Sequence, residues 1–228
     1  MGACGDYCRP CLDKPVPLPS GGMSRLDHVV RMEKDVGRYG AGFIRAEMAI
    51  DPRAWFLTCH FLGDEVMPGT LMYESCLHSL RLFLMASGWN SETGRVAWQP
   101  AVGAGATLKC RGQVTGATRV AAYEVHILRL EFLAPANGGA PEPVAVAEAI
   151  MLADNRPIVE VRNLNLRLAG SSKAKLEKIW AEGPARGLPP GKPAPAVDIP
   201  AQLKSSTGGR GEVFTKEQLL ALAQGRPS

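Results

Sequence analysis

The chain has 228 residues, 46% of them hydrophobic and 21% charged, with a formal net charge of +4 and a pI near 8.8. That length holds one good core with extra segments or two small domains, and the balance is that of a globular protein. So mild a basic excess argues against nucleic acid as a partner but suits an acidic one such as a carrier protein. No apolar run reaches the roughly 18 residues of a membrane span, and the start lacks the basic-then-apolar order of a secretory signal. The expectation is therefore no membrane association and a cytoplasmic location.

Residues 1–22 read as an irregular leader rich in Gly, Pro and Cys. Cys4, Cys8 and Cys11 have the C-x3-C-x2-C spacing of an iron-sulfur ligand set. That pattern covers eight residues of an unstructured leader and nothing later resembles the rest of a radical enzyme, so surface thiols are the plainer reading. With Cys59, Cys76 and Cys110, they are expected to be free. No cofactor and no metal are expected.

From Met23 the texture changes. Ile44, Ala46, Met48 and Ile50 alternate with Arg45 and Glu47, the period of a half-buried strand. Pro68-Gly69 then opens a helix from Thr70 to about Ala86, whose apolar residues (Leu71, Met72, Leu77, Leu80, Leu82 to Met85) surround the axis, as in a buried helix. Leu108, Cys110, Gly112 and Val114 alternate next. Tyr123, Val125 and Ile127 follow, and the phase then flips to Leu128, Leu130 and Phe132, which predicts a bulge or a change of covered face. Val144 to Ala153 and Ile158 to Leu168 make a further pair joined by a turn at Asp154-Asn155-Arg156-Pro157, and the second arm flips from Val159 and Val161 to Leu164, Leu166 and Leu168.

One strand, one long buried helix and then an antiparallel series predict an α+β fold: a curved antiparallel sheet wrapped around a central helix with a single core. That domain spans 23–170. Residues 171–228 read as a Pro-rich linker, Pro184 to Pro200, with short docking helices near Lys173 to Trp180 and Phe214 to Ala223, the latter with Thr215 as its N-cap candidate.

Within His60-Phe-Leu-Gly-Asp-Glu-Val-Met-Pro-Gly69-Thr-Leu-Met-Tyr-Glu74 lie a base, an acid and a helix start. A histidine titrates near neutral pH and can take a proton, and a carboxyl one turn into the helix can return it. The Gly69 amide at the helix mouth adds a donor for a thioester carbonyl. Dehydration needs those three groups. Asp64 and Glu65 read as turn residues, and Cys59 and Cys76 as small residues with no base placed to activate them. His28 and His126 read as surface or strand residues. Lys109, Arg111 and Arg119 either meet a phosphopantetheine or an acidic helix or are solvated strand faces.

The run Trp55 to Gly69 resembles the signature of the 3-hydroxydecanoyl-ACP dehydratase family, whose members have the hot-dog fold. Met23-Ser-Arg-Leu-Asp-His28 and Gly40 to Ile50 are similar to that family's opening helix and first strand, and Gly112-Gln-Val, Tyr123-Glu-Val-His126 and Asn163-Leu-Asn-Leu to its sheet. The resemblance covers roughly Met23 to Gly170. It implies a catalytic role for His60, Gly69 and Glu74. Glu74 lies fourteen positions after His60, the family's spacing. Val66 falls where a backbone carbonyl orients the histidine ring, and Pro68, Thr70 and His78 join it around the substrate. Two departures stand out: Glu74 where isomerising members carry Asp, which puts isomerase activity in doubt, and His78 where the family often has Gln, from which it would hydrogen-bond Glu74 or ionise.

The activity implied is dehydration of 3-hydroxyacyl thioesters on acyl carrier protein to trans-2-enoyl thioesters. Glu74, kept protonated by an apolar pocket, would supply the acid. The partners implied are the carrier with its phosphopantetheine-linked substrate, and a second copy or a second hot-dog domain, because His60 and the acid that act together come from different protomers. Phe214 to Ser228 resembles the connector before the next such domain in polyunsaturated fatty-acid and iterative polyketide synthases. An acyl thioesterase of the same fold and a silent partner domain of a synthase remain open as alternatives.

Overall fold

Residues 2–3, 16–61, 63–91, 95–135 and 138–182 are described by a computed structural model. The leader cysteines Cys4, Cys8 and Cys11, the Pro184 to Pro200 linker and the Phe214 to Ala223 helix lie outside them.

Two helices precede the main run of strands: α1 (Trp55–Cys59) and α2 (Gly69–Ala86). Pro68 caps α2 with φ −55° and so turns the chain into the first helical residue, Gly69. At the other end Gly88 takes φ 90°, which lets the Gly88 and Trp89 amides donate back to the Met85 and Leu84 carbonyls at 2.9 Å each. That is a Schellman closure, and it needs glycine for its left-handed residue. Leu71, Met72, Cys76, Leu77, Leu80, Leu82, Phe83 and Leu84 are all buried, so the helix is wrapped on nearly every side.

The wrapping comes from one antiparallel sheet. Its strands are β1 (Gly2–Ala3), β2 (His28–Glu33), β3 (Phe43–Ala49), β4 (Ala97–Gln99), β5 (Thr107–Cys110), β6 (Val120–Leu133), β7 (Glu142–Ala153) and β8 (Arg156–Ala169), in the order β1-β2-β3-β6-β7-β8-β4, with β5 also pairing β8. Helix α2 touches β3, β6, β7 and β8. Ala145, Ala147 and Ala149 of β7, all fully buried, keep that middle strand low enough for the helix to lie close. The curved sheet around a central helix is the hot-dog arrangement.

Both expected phase flips are irregularities in the ladder. The β6–β7 register shifts between Ile127 and Arg129. In β8 the flip coincides with Asn163, at φ 52°, beside a register shift opposite Ala147 and Ala149. The β7–β8 turn is carried by Asp154 and Asn155, at φ 46° and 66°, the two left-handed residues of a tight hairpin.

Three features differ from expectation. Met23 to His28 is not an opening helix: a three-residue 3-10 turn at Gly21–Met23 leads directly into strand β2. Strand β5 ends at Cys110 instead of running to Val114, and just beyond it Gly112 lies so close over Ile158 that a Cβ there would clash with its side chain. Beyond the sheet, α3 (Lys173–Glu182) buries Leu176 and Ile179 in the same core, and its Trp180 indole donates to the Gly88 carbonyl at 3.0 Å. This helix packs as part of the domain's core.

Candidate active site

His60 is the residue that ends α1, and its half-buried ring is held from two directions. Nδ1 lies 2.9 Å from the Val66 carbonyl oxygen, while the Val66 amide donates to the His60 carbonyl at 2.9 Å. A carbonyl can only accept, so Nδ1 carries the proton and Nε2 presents its lone pair. Phe61, 59% exposed, lays its ring against the imidazole with centroids 3.8 Å apart. The loop between them closes through Gly63 and Glu65, at φ 83° and 47°, and Val66 and Met67 anchor it to Thr115 and Val114, the Met67 amide donating to the Val114 carbonyl at 2.9 Å. The tautomer is therefore fixed by backbone that is itself tied to the sheet.

Gly69 starts α2, where the first amides have no partner within the helix. Space for a Cβ is open there, so a ligand can approach this backbone. The Leu71 and Met72 amides already donate to the Pro68 carbonyl, at 3.0 and 3.1 Å, which leaves those of Gly69 and Thr70 facing outward from the mouth. Thr70 is exposed and Pro68 half-buried.

Glu74 stands one turn further on. The surround expected for it, an apolar pocket, is not what this chain provides: its carboxyl is in ion pair with Arg81, two turns along the same helix. The two side chains keep 24% and 12% of their surface, so the pair sits at the border of the core. A carboxylate engaged by guanidinium is an acceptor only. His78 has turned away from it as well: buried to 2%, it accepts the Arg25 amide on Nδ1 at 3.5 Å instead of bonding Glu74. Cys76 is fully buried, and burial pushes its thiol up to about 12, which rules it out as a nucleophile near neutral pH.

The remaining sequence candidates lie apart from these. Cys59, Asp64 and Glu65 are exposed around the His60 loop, and Arg111 and Arg119 are exposed on the chain between β5 and β6. His28 lies 3.5 Å from Glu47 on the outer face of the sheet. His126 is on strand β6 but buried, which lowers its pKa to about 4, with the Arg38 charge adding to the effect and Glu148 opposing it. Among the described residues, no group of three or more His, Cys, Asp or Glu could hold a metal ion. Likewise, among them no helix is long and apolar enough to cross a membrane. Arg81 and Phe61 escaped the sequence reading. The seven-residue separation of Arg81 from Glu74 was the available signal for the first.

Comparison with known proteins gives the chain's family. Among solved structures, the dehydratase heterocomplex ApeI:P from Xenorhabdus doucetiae is 13% identical, covering 78% of this chain and 97% of that one at a TM-score of 0.43. An uncharacterized protein from Pyrococcus horikoshii is 10% identical, covering 69% and 96% at a TM-score of 0.40. The FabA-like domain family model matches residues 18–162, which take in the whole His60 to Glu74 run and the sheet as far as β8. On that match, spanning well over half of the sequence, this chain belongs to the FabA-like domain family.

Proposed function

We propose that the chain is a hydro-lyase that dehydrates 3-hydroxyacyl thioesters, presented on the phosphopantetheine of an acyl carrier protein, to trans-2-enoyl thioesters in fatty-acid or polyketide synthesis. The hydrogen bond from His60 Nδ1 to the Val66 carbonyl carries this reading, because it reserves Nε2 for proton abstraction. The C2 proton is weakly acidic, and its removal puts negative charge on the thioester oxygen. The Gly69 amide, with the helix dipole behind it, donates to that oxygen; one such donor is worth roughly 3 to 4 kcal/mol in acyl chemistry. As the C2–H electrons form the C2–C3 double bond, the C3–O bond breaks and a Glu74 carboxyl passes its proton to the leaving hydroxyl, which departs as water. Pro68, Thr70 and His78 would line the path. We assign Glu74 to a second copy, or to a second hot-dog domain, of the pair that makes a complete site; the Arg81 contact engages Oε1, so Oε2 is the oxygen that would face the leaving hydroxyl.

A second reading has one observation in its favour. The same ion pair presents Glu74 as a carboxylate, the form a hot-dog thioesterase would use to activate water. The purified full chain with a 3-hydroxyacyl thioester separates the two. Dehydration gives the ultraviolet absorbance of a conjugated enoyl thioester, and both His60→Ala and Glu74→Gln should cut its rate by roughly 10²- to 10⁴-fold. Free thiol without enoyl product assigns the thioesterase. Absence of turnover, with His60→Ala indistinguishable from the parent, overturns both.

A further inference from the structure

Among the described residues, Arg25 is a buried cation that forms no ion pair. The residue is 6% exposed, and its guanidinium spends one nitrogen, Nη2, on the Gly22 carbonyl at 2.6 Å, while Nε and Nη1 are buried with no hydrogen-bond partner. The Phe56 ring, 5.1 Å away, supplies a cation-π contact and no acceptor. Asp27, the nearest acid in sequence, acts on the guanidinium through space and opposes the effect of burial, but it makes no ion pair with it: it is exposed, and its Oδ2 accepts the Ala49 amide at 2.7 Å. Burial drags the guanidinium below its ordinary range. An unpaired charge held this way is costly, so it calls for an occupant.

A second orphan stands beside it. The fully buried Tyr123 on β6 interacts electrostatically with Arg25, and its hydroxyl makes no hydrogen bond of ordinary geometry. Ser75, next to it, donates its own proton to the Leu71 carbonyl at 2.8 Å and offers Tyr123 a lone pair, but not in a well-aligned bond. The acceptor facing this spot, His78 Nδ1, is taken by the Arg25 amide. Three donor atoms are left over, Arg25 Nε and Nη1 and Tyr123 Oη, together with one positive charge that no ion pair neutralises. A carboxylate is the group that answers both counts.

We propose that Arg25 and Tyr123 form a carboxylate-binding site beside the proposed catalytic helix. Its placement suits the far end of an acyl substrate, and in that respect the inference rests on the dehydratase reading. Phe56, on which Arg25 lies, is four residues before His60 on α1; His78, which the Arg25 amide touches, is one turn, about 6 Å, beyond Glu74 on α2. An acyl chain entering past His60 and Gly69 and ending in a carboxylate would place that end among the donors.

The full chain tests this in two arms. In the first, thermal melting with suberate, the eight-carbon dicarboxylate, is compared with octanoate. Suberate should raise the midpoint in a saturable way, octanoate should not, and the gain should vanish in Arg25→Met, shrink in Tyr123→Phe and survive in part in Arg25→Lys. The ligand-free Arg25→Met should melt no lower than the parent, since it loses an unpaired charge, which also certifies that it folds. Equal responses to the two acids, or a suberate response unaltered by Arg25→Met, overturn the site. In the second arm, 3-hydroxyoctanoyl thioesters ending in methyl or in carboxylate are turned over. A preference of about tenfold or more for the carboxylate, the worth of one charge-assisted hydrogen bond, that falls toward unity in Arg25→Met identifies the substrate as its source. Equal turnover with Arg25-dependent suberate binding identifies a free carboxylate effector instead. Arg25-dependent binding with no dehydration of either thioester counts against the dehydratase reading and leaves the site standing.

Discussion

The buried polar side chains of this molecule have unequal partners, and His126 shows what that does to stability. Its Nδ1 accepts the Arg38 amide at 3.1 Å, its Nε2 is buried without a partner, and the Phe43 ring leans on it at 4.9 Å. Burial and the Arg38 charge hold its pKa down to about 4, with Glu148 pulling the other way. Between that value and the ordinary 6.5, the unfolded chain binds a proton that the folded chain refuses. Above 6.5 both states are neutral and His126 costs nothing; as pH falls from 6.5 toward 4, stability drops, by up to about 3 kcal/mol. His126→Asn keeps an acceptor for the Arg38 amide and does not titrate. Urea midpoints at pH 7.5 and 4.5 should therefore converge for the variant relative to the parent, and parallel losses in the two proteins would remove His126 as the cause. At this scale the sequence spoke unevenly. His60, Gly69 and Glu74 were legible because their spacing is fixed along one continuous stretch. Arg81 beside Glu74, and Arg25 without an acid, depend on which rotamer packs where, and no spacing encodes that.

Among the elements, the strands with strict alternation were legible, and so were their bulges: the phase flips after Ile127 and after Val161 mark where the ladder slips. Strand β2 was not, because its burial runs half-buried, buried, then two half-buried, with a register shift between Val29 and Arg31 that erases period two. Helix α1 has five residues, too few for a helical period to show. Helix α3 was visible as a short amphipathic stretch, yet its docking site was not, since the Gly88 carbonyl it meets belongs to the far end of α2. Leu176 is fully buried against the core, so Leu176→Ala should cost about 2 to 5 kcal/mol, a loss comparable to truncation within the sheet itself. A denaturant midpoint within experimental scatter of the parent would show α3 to be an appendage and not a part of the fold.

At the scale of the whole molecule, the proposed site has its candidate base at the end of α1 and its candidate acid on α2, and that acid already has a partner. The lone chain satisfies Glu74 internally through Arg81, so nothing in it demands that its own His60 and Glu74 meet. A pair of domains resolves this if each His60 works with the other's Glu74, and the prediction that follows is one of genetics more than of geometry. His60→Ala and Glu74→Gln, each expected to be inactive alone, are co-expressed in equal amounts under separate tags. Hybrid dimers form half the population, and each holds one intact His60–Glu74 pair and one site lacking both, so about a quarter of the parent's activity should return. Isolating the doubly tagged hybrids should raise that to about half per dimer. If instead the two residues act within one chain, every hybrid is dead at both sites and no activity returns, although the tags still co-purify. Co-purification with silence would thus retain the dimer and reject the shared site.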